Sequence, residues 1–164
     1  KKKCLSLLNN KDLEEKFTLR YINLATIYGI FLVCGDEEDL EKASDLMINL
    51  IYNFQQIPFH SFIDPIYTII IFSNFSLGKY KEVDDHYKKY RRSTKGKIVN
   101  PENDLLLHGF YYASKWVETN RKQYLKKLDG ILEETTTPSL QRTHRILFDV
   151  VDYFAIPIEI PTKN

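Results

Sequence analysis

The chain is poor in the residues that usually announce chemistry or a special environment. It has only two cysteines, Cys4 and Cys34, in 164 residues. That is too few for a disulfide scaffold, so a reducing, intracellular (cytoplasmic) setting is expected. Charge of either sign is not in excess: 23 Lys and Arg face 22 Asp and Glu, a net of +1. No global field therefore draws the chain to nucleic acid or to a membrane. Long apolar runs are missing too. The two longest, Tyr21–Cys34 and Pro65–Phe75, are too short to span a bilayer, and Asn23 and Asn74 interrupt them. There is no phosphate-cradling glycine loop, no nucleophile elbow and no zinc-protease helix. The four histidines, His60, His86, His108 and His144, fall in four different segments. None stands at ligand spacing from a cysteine or an acid, so neither a metal nor a cofactor is expected. Asp84-Asp85-His86 is a compact cluster, but consecutive residues on a helix point in different directions. The acid pairs Glu14-Glu15, Glu37-Glu38 and Glu133-Glu134 sit at helix ends, where acids cap and solvate rather than share a proton. Together these absences argue against an enzyme. The chain starts at Lys1 without Met and is expected to be part of a longer polypeptide.

What is present is a recurrence. Apolar residues make up 43% of the chain, enough to bury a core in one domain. A phrase returns about every 42 residues: Ile30–Gly35, Phe72–Gly78 and Ser114–Asn120 each end an apolar helical stretch at Gly or Asn and lead into a charged, amphipathic one. Glycine and asparagine adopt most readily the left-handed conformation that closes a helix. Three such units in register predict a stack of helical hairpins, an architecture whose usual role is to hold another molecule.

The spacing predicts about seven helices and no sheet. Lys1–Leu8 reads as a short helix, stopped at Asn9-Asn10. Lys11–Cys34 follows, with Phe17, Tyr21, Leu24, Ile27, Tyr28 and Phe31 at helical spacing. Asp36–Asp39 opens the next helix, whose inward stripe is Leu40, Ala43, Met47, Leu50, Ile51 and Phe54, with Pro58 as its stop. Asp64-Pro65 starts a helix that turns at Gly78. Lys79–Ser93 returns with Tyr80, Val83, Tyr87 and Tyr90 on one face. Asn100-Pro101 starts another, which turns at Asn120 and returns over Arg121–Glu134 with Tyr124, Leu125, Leu128, Ile131 and Leu132 inward. Ser139 is the expected cap of a final helix, 139–154, whose Leu140, Thr143, Ile146, Leu147, Val150, Val151 and Phe154 cover the open end of the stack. The expected organisation is one helical-repeat domain over 1–154, with units at about 11–58, 62–97 and 100–135. Residues 155–164 form an extended tail in which Ile156, Ile158 and Ile160 lie against the last helix. Trp116 and Cys34 are expected to be buried.

The segment Leu77-Gly78-Lys79-Tyr80-Lys81-Glu82-Val83, followed by Tyr87 and Tyr90, resembles the turn and second helix of a tetratricopeptide repeat. The likeness covers about 17–132. It departs in its longer period, about 42 residues against ~34, and in placing Ile71 and Val83 where small residues are the rule. In the third unit Asn120 replaces Gly. The resemblance implies an all-α superhelix of antiparallel hairpins, without catalytic activity, that binds a protein or peptide segment in a concave groove lined by first helices. It assigns Thr68, Phe72, Phe75 and Ser76 from the second unit to that groove, and Phe110, Ser114, Val117 and Glu118 from the third. It also implies an alternative, the peptide-sensing half of a bacterial transcriptional regulator whose DNA-binding part precedes Lys1. A further alternative comes from the densest basic run, Lys88, Lys89, Arg91, Arg92, Lys95 and Lys97, with Tyr87 and Tyr90 interleaved. It offers phosphates on nucleic acid or an anionic surface a place to dock. Against this, cations are favoured at a helix C-terminus anyway, and the two tyrosines fall on the inward face.

Overall fold

The computed structural model describes residues 6–8, 18–53, 62–94 and 100–158. Among them every regular element is a helix and none is a strand. The elements are α1 (Thr18–Leu32), α2 (Glu37–Asn53), α3 (Ile63–Ser76), α4 (Tyr80–Thr94), α5 (Pro101–Thr119), α6 (Lys122–Glu134), a 3₁₀ turn (Pro138–Leu140) and α7 (Gln141–Tyr153). The chain divides into two compact units, Lys1–Val99 and Asn100–Asn164, a division between the second and third of the expected repeats. The predicted elements at 9–17, 54–61 and 159–164 lie outside the described residues.

Sequence chemistry accounts for most helix ends. Gly78 is left-handed, with φ of 68°, and its N–H and that of Lys79 bond back to Phe75 and Asn74 carbonyls at 2.9 and 2.8 Å. Asn120 does the same with φ of 52°, donating to Trp116 O at 2.7 Å. Asn100 caps α5 by accepting from the N–H groups of Glu102 (3.0 Å) and Asn103 (3.3 Å), with Pro101 behind it. Asp36 Oδ1 accepts from Asp39 N–H at 3.0 Å at the start of α2. Gly35 differs from the other two turn residues, because its φ is not left-handed. It is required for room: a Cβ there would stand 2.6 Å from Asp39 Cβ. Ser139 is not a cap. It falls inside the 3₁₀ turn, its hydroxyl meets Thr137 Oγ1 at 3.3 Å, and α7 starts two residues later without a side-chain cap.

In the first unit α1 packs on α2, α2 on α3 and α3 on α4, and α1 also touches α3. Short turns join α1 to α2 and α3 to α4, so each pair is a helical hairpin. The α2 stripe is as read from the sequence: Leu40, Ala43, Met47 and Leu50 are buried and Ile51 is half-buried. On α1 the buried face is Ile22, Ala25, Tyr28, Gly29 and Leu32, and the expected Ile27 and Phe31 are exposed instead. The helix is apolar nearly all round, so periodicity does not choose a face. The small residues do. A Cβ on Gly29 would lie 2.9 Å from Met47 Cε of α2 and 3.3 Å from Ile69 Cδ1 of α3, which marks Gly29 as the point where three helices meet. Two buried polar contacts fix registers. Asn74 donates to Ser44 Oγ at 2.9 Å and to Ile70 O at 2.8 Å. Tyr90, fully buried, donates to the buried Asp64 at 3.1 Å. Such groups are costly unless satisfied, so each favours one alignment of its helix pair.

The second unit is built on α5, against which α6 and α7 pack. Leu107, Phe110 and Ala113 meet Leu128, Ile131 and Leu132, while Leu147, Val150 and Val151 come from α7. Gly109 admits the closest approach: a Cβ there would collide with both methyls of Leu147 and lie 3.2 Å from its Cγ. His144 ties α7 to the end of α6. The Thr135 hydroxyl donates to Leu132 O at 2.9 Å, so its oxygen accepts from His144 Nδ1, also at 2.9 Å. That fixes the Nδ1–H tautomer, a donor role the ring keeps on protonation. Beyond α7, Ala155 is left-handed, and Ile156 is buried with its N–H on Val151 O at 2.9 Å.

The two glycines should respond differently to a methyl group. Met47 Cε is the free end of a flexible side chain and can yield, while alanine gains up to about 1 kcal/mol of helix propensity. Gly29→Ala should therefore stay within about 1 kcal/mol of wild type, whereas Gly29→Leu should cost about 2 kcal/mol or more by overpacking. Gly109→Ala forces a branched, fully buried leucine to retreat and should destabilise by ~1–2 kcal/mol. Urea unfolding midpoints at constant m-value check all three.

Candidate partner-binding surfaces

The residues assigned to a groove separate into core and surface. On α3, Phe75 is fully buried, with its ring 6.4 Å from that of Tyr80. Thr68, Phe72 and Ser76 are half-buried and spaced i, i+4, i+8, so they share one side of the helix. The Thr68 hydroxyl is engaged by its own backbone, donating to Asp64 O at 2.7 Å. On α5, Phe110 and Ser114 are buried, and the Ser114 hydroxyl donates to Tyr111 O at 2.7 Å. Glu118 is exposed and pairs with Lys115 at 2.5 Å. Val117 is half-buried. Phe75, Phe110 and Ser114 are thus packing residues that no partner reaches in this conformation. Both helices are buried on more than one side, so the face a side chain takes depends on which neighbours arrive.

Four exposed apolar side chains lie elsewhere, on α1. Leu19, Ile27, Ile30 and Phe31 are 56, 43, 50 and 57% exposed. Leu19, Asn23, Ile27 and Ile30 follow helical spacing, and Cys34 continues the line one turn on. Cys34 is exposed, with its thiol 3.6 Å from Ile30 O, rather than buried as expected. The signal was present in the sequence: Ile27–Val33 contains no polar residue, more apolar surface than one buried face consumes. Trp116 is half-buried rather than core.

The basic run is neutralised and turned inward in part. Lys88 forms an ion pair with Asp84, which holds the lysine above its ordinary pKa through that hydrogen bond. Lys89, Arg91 and Arg92 are exposed. Tyr90 is fully buried and Tyr87 half-buried, so neither presents an open ring for stacking. Lys95 and Lys97 lie outside the described residues. Among the described residues no group of three His, Cys, Asp or Glu side chains is placed to hold a metal ion, and no helix is long and apolar enough to cross a membrane.

His86, one turn before Tyr90, carries an unsatisfied buried Nδ1. Burial lowers its pKa from the ordinary 6.5, Lys89 adds to that, and Asp85 and Glu82 oppose it. A lowered histidine pKa means that the unfolded chain binds the proton more readily than the folded one. Its contribution to stability is then complete above about pH 6.5 and is lost as the pH falls below that value through the lower folded-state pKa. The urea midpoint should drop between pH 7.5 and pH 5 by more in wild type than in His86→Gln (pH values chosen to bracket about 6.5).

Comparison of this chain with protein-family models, with curated proteins and with solved structures finds no match.

Proposed function

We propose that this chain is a helical-hairpin scaffold without catalytic activity that binds a protein or peptide segment on its first unit. The observation that carries this reading is the outer face of α1, where four large apolar side chains stand in solvent on a helix whose other side is already packed. Exposed apolar surface of this kind on an otherwise well-packed molecule marks a docking site. The sequential packing of α1, α2 and α3 supports the tetratricopeptide-like arrangement read from the turn motif, as does the glycine that lets α1 approach both α2 and α3. In such an arrangement the first helices of successive hairpins, α1 and α3, share the binding surface, and the half-buried side of α3 at Thr68, Phe72 and Ser76 extends it. The partner chemistry that fits is an amphipathic helix or an apolar segment, held by side-chain burial rather than by charge. The scarcity of cysteine supports an intracellular setting for this reading.

The test uses Cys34, which is exposed one turn beyond Ile30. A photo-crosslinker attached there, in a Cys4→Ser background, should yield a discrete adduct from a lysate of the source organism. Ile27→Glu and Phe31→Glu should abolish that adduct while changing the unfolding free energy, read from the urea midpoint at constant m-value, by no more than about 0.5 kcal/mol, because both side chains are at the surface. Phe72→Ala should weaken retention of the same partner by about tenfold, the equivalent of ~1.4 kcal/mol. Phe75→Ala, by contrast, should cost about 3–5 kcal/mol of stability. An adduct indifferent to both α1 substitutions would falsify the assignment of this face.

A further inference from the structure

The outward face of α7 carries a charge order of its own. α7 packs on α5 and less extensively on α6, and its buried residues are Thr143, Leu147, Val150 and Val151. On the opposite side Arg142, Arg145, Asp149 and Asp152 follow one another at spacings of three, four and three. At helical pitch they form one stripe, about a quarter of the circumference wide. All four are exposed, and none forms an ion pair within α7 or with a neighbouring helix. Tyr153 ends the same stripe and is 82% exposed. Ile146 and Phe148, both half-buried, flank it on either side.

The helix itself does not account for this order. The first turn of α7 holds Arg142 and no acid, and the last holds Asp152 and no base, the reverse of what the helix dipole favours. Arg145 precedes Asp149 by one turn, the less favourable order for a pair within a helix. The stripe is also a palindrome in which the sign inverts. Arg142 and Asp152 stand equally far from the midpoint at Leu147, as do Arg145 and Asp149. An antiparallel copy of the same helix therefore sets every cation against an anion, and a two-fold contact makes each pair twice. A parallel copy would face like with like. In the antiparallel register Tyr153 lies beside Arg142 of the second copy, where a guanidinium can cover its ring. α6 shares the order, with Lys122 and Lys126 before Asp129 and Glu133, but Gly130 lies on that face and no large apolar side chain is exposed there. Exposed ion pairs are individually weak. The charges of α7 thus set partner and register, while Tyr153, Ile146 and Phe148 add the burial.

We propose that the outward face of α7 is a self-recognition surface, on which a second copy of this chain docks antiparallel through Arg142–Asp152 and Arg145–Asp149 pairs. This goes beyond the docking reading of α1 and uses none of its residues. The experiment is sedimentation equilibrium of the full chain up to about 1 mM, the range of a weak complex. It is run in the Ile27→Glu/Phe31→Glu background, so that the apolar face of α1 does not contribute. The chain should dimerise at low salt, and raising the salt about tenfold should weaken the dimer at least about threefold. Arg142→Asp/Arg145→Asp and, separately, Asp149→Arg/Asp152→Arg should each lose at least about tenfold in self-affinity. An equimolar mixture of these two variants should recover a heterodimer, because an all-acidic stripe then meets an all-basic one. Circular dichroism should show the helix content of both unchanged. The dipole by itself favours the acids of the first variant, so its loss of self-affinity is not loss of the helix. Tyr153→Ala should weaken the dimer at least about threefold, while Tyr153→Phe, which keeps the ring, should change it little. The proposal is overturned by any of three results: a monomer up to about 1 mM at low salt, a dimer retained in either charge-reversed variant, or failure of their mixture to associate.

Discussion

The organisation of the first unit depends on how closely helices approach one another at Gly29. With only a hydrogen for a side chain, that position lets Met47 from α2 and Ile69 from α3 reach the α1 backbone. Ala25 and Ala43, both fully buried, keep the surrounding contacts small. A bulky residue at 29 would separate α1 from both neighbours. The same device recurs in the second unit, where Gly109 admits the isopropyl group of Leu147. In each case dispersion and burial reward the shorter interaxial distance, and the fit tolerates little added volume.

Choosing the inward face of α1 by its small residues has a consequence for what is left outside. α3 is flanked by α2 on one side and α4 on the other, and nine of its residues are buried. α1 is comparably apolar, yet its main packing neighbours among the described elements are α2 and α3. The unused apolar positions, Leu19, Ile27, Ile30 and Phe31, therefore remain in water. A helix that is apolar all round but packed on one side has surface to spare for a second contact, and that surplus distinguishes α1 from the amphipathic α2, α4, α6 and α7.

Charge follows a similar logic of partners rather than of counts. Lys and Arg are dense in both α4 and α6; in α4 the acids, Glu82, Asp84 and Asp85, precede the basic run, and the start of α6 has none. Asp84 takes Lys88, and Glu41 takes Lys79 at 2.8 Å. Exposed pairs of this kind add little stability, but they remove the cation from the charge available to a ligand. Lys122, Lys126 and Lys127 of α6 are exposed and form no ion pair.

Much of the fold was legible from residue type and spacing. The helices, the turns at Gly78 and Asn120, the cap at Asn100 and the buried stripe of α2 all follow from local rules, because capping, left-handed backbone and amphipathic periodicity act within a few residues of one another. Faces were illegible where a helix was apolar on several sides. The spacing of Phe75, Phe110 and Ser114 was as compatible with a groove as with a core, and that of Ile27 and Phe31 as compatible with a core as with the surface. The glycines at 29 and 109 were unremarked because their role exists only when another helix arrives. The ring contact of Tyr112 with Tyr124 had no local signature either, since the two lie on different helices and meet across a hairpin. The sequence by itself determined where helices begin and end, since those choices are made by neighbours along the chain. Which side of α1, α3 and α5 is hidden was decided only by the tertiary structure, because burial depends on distant segments that the linear pattern does not name.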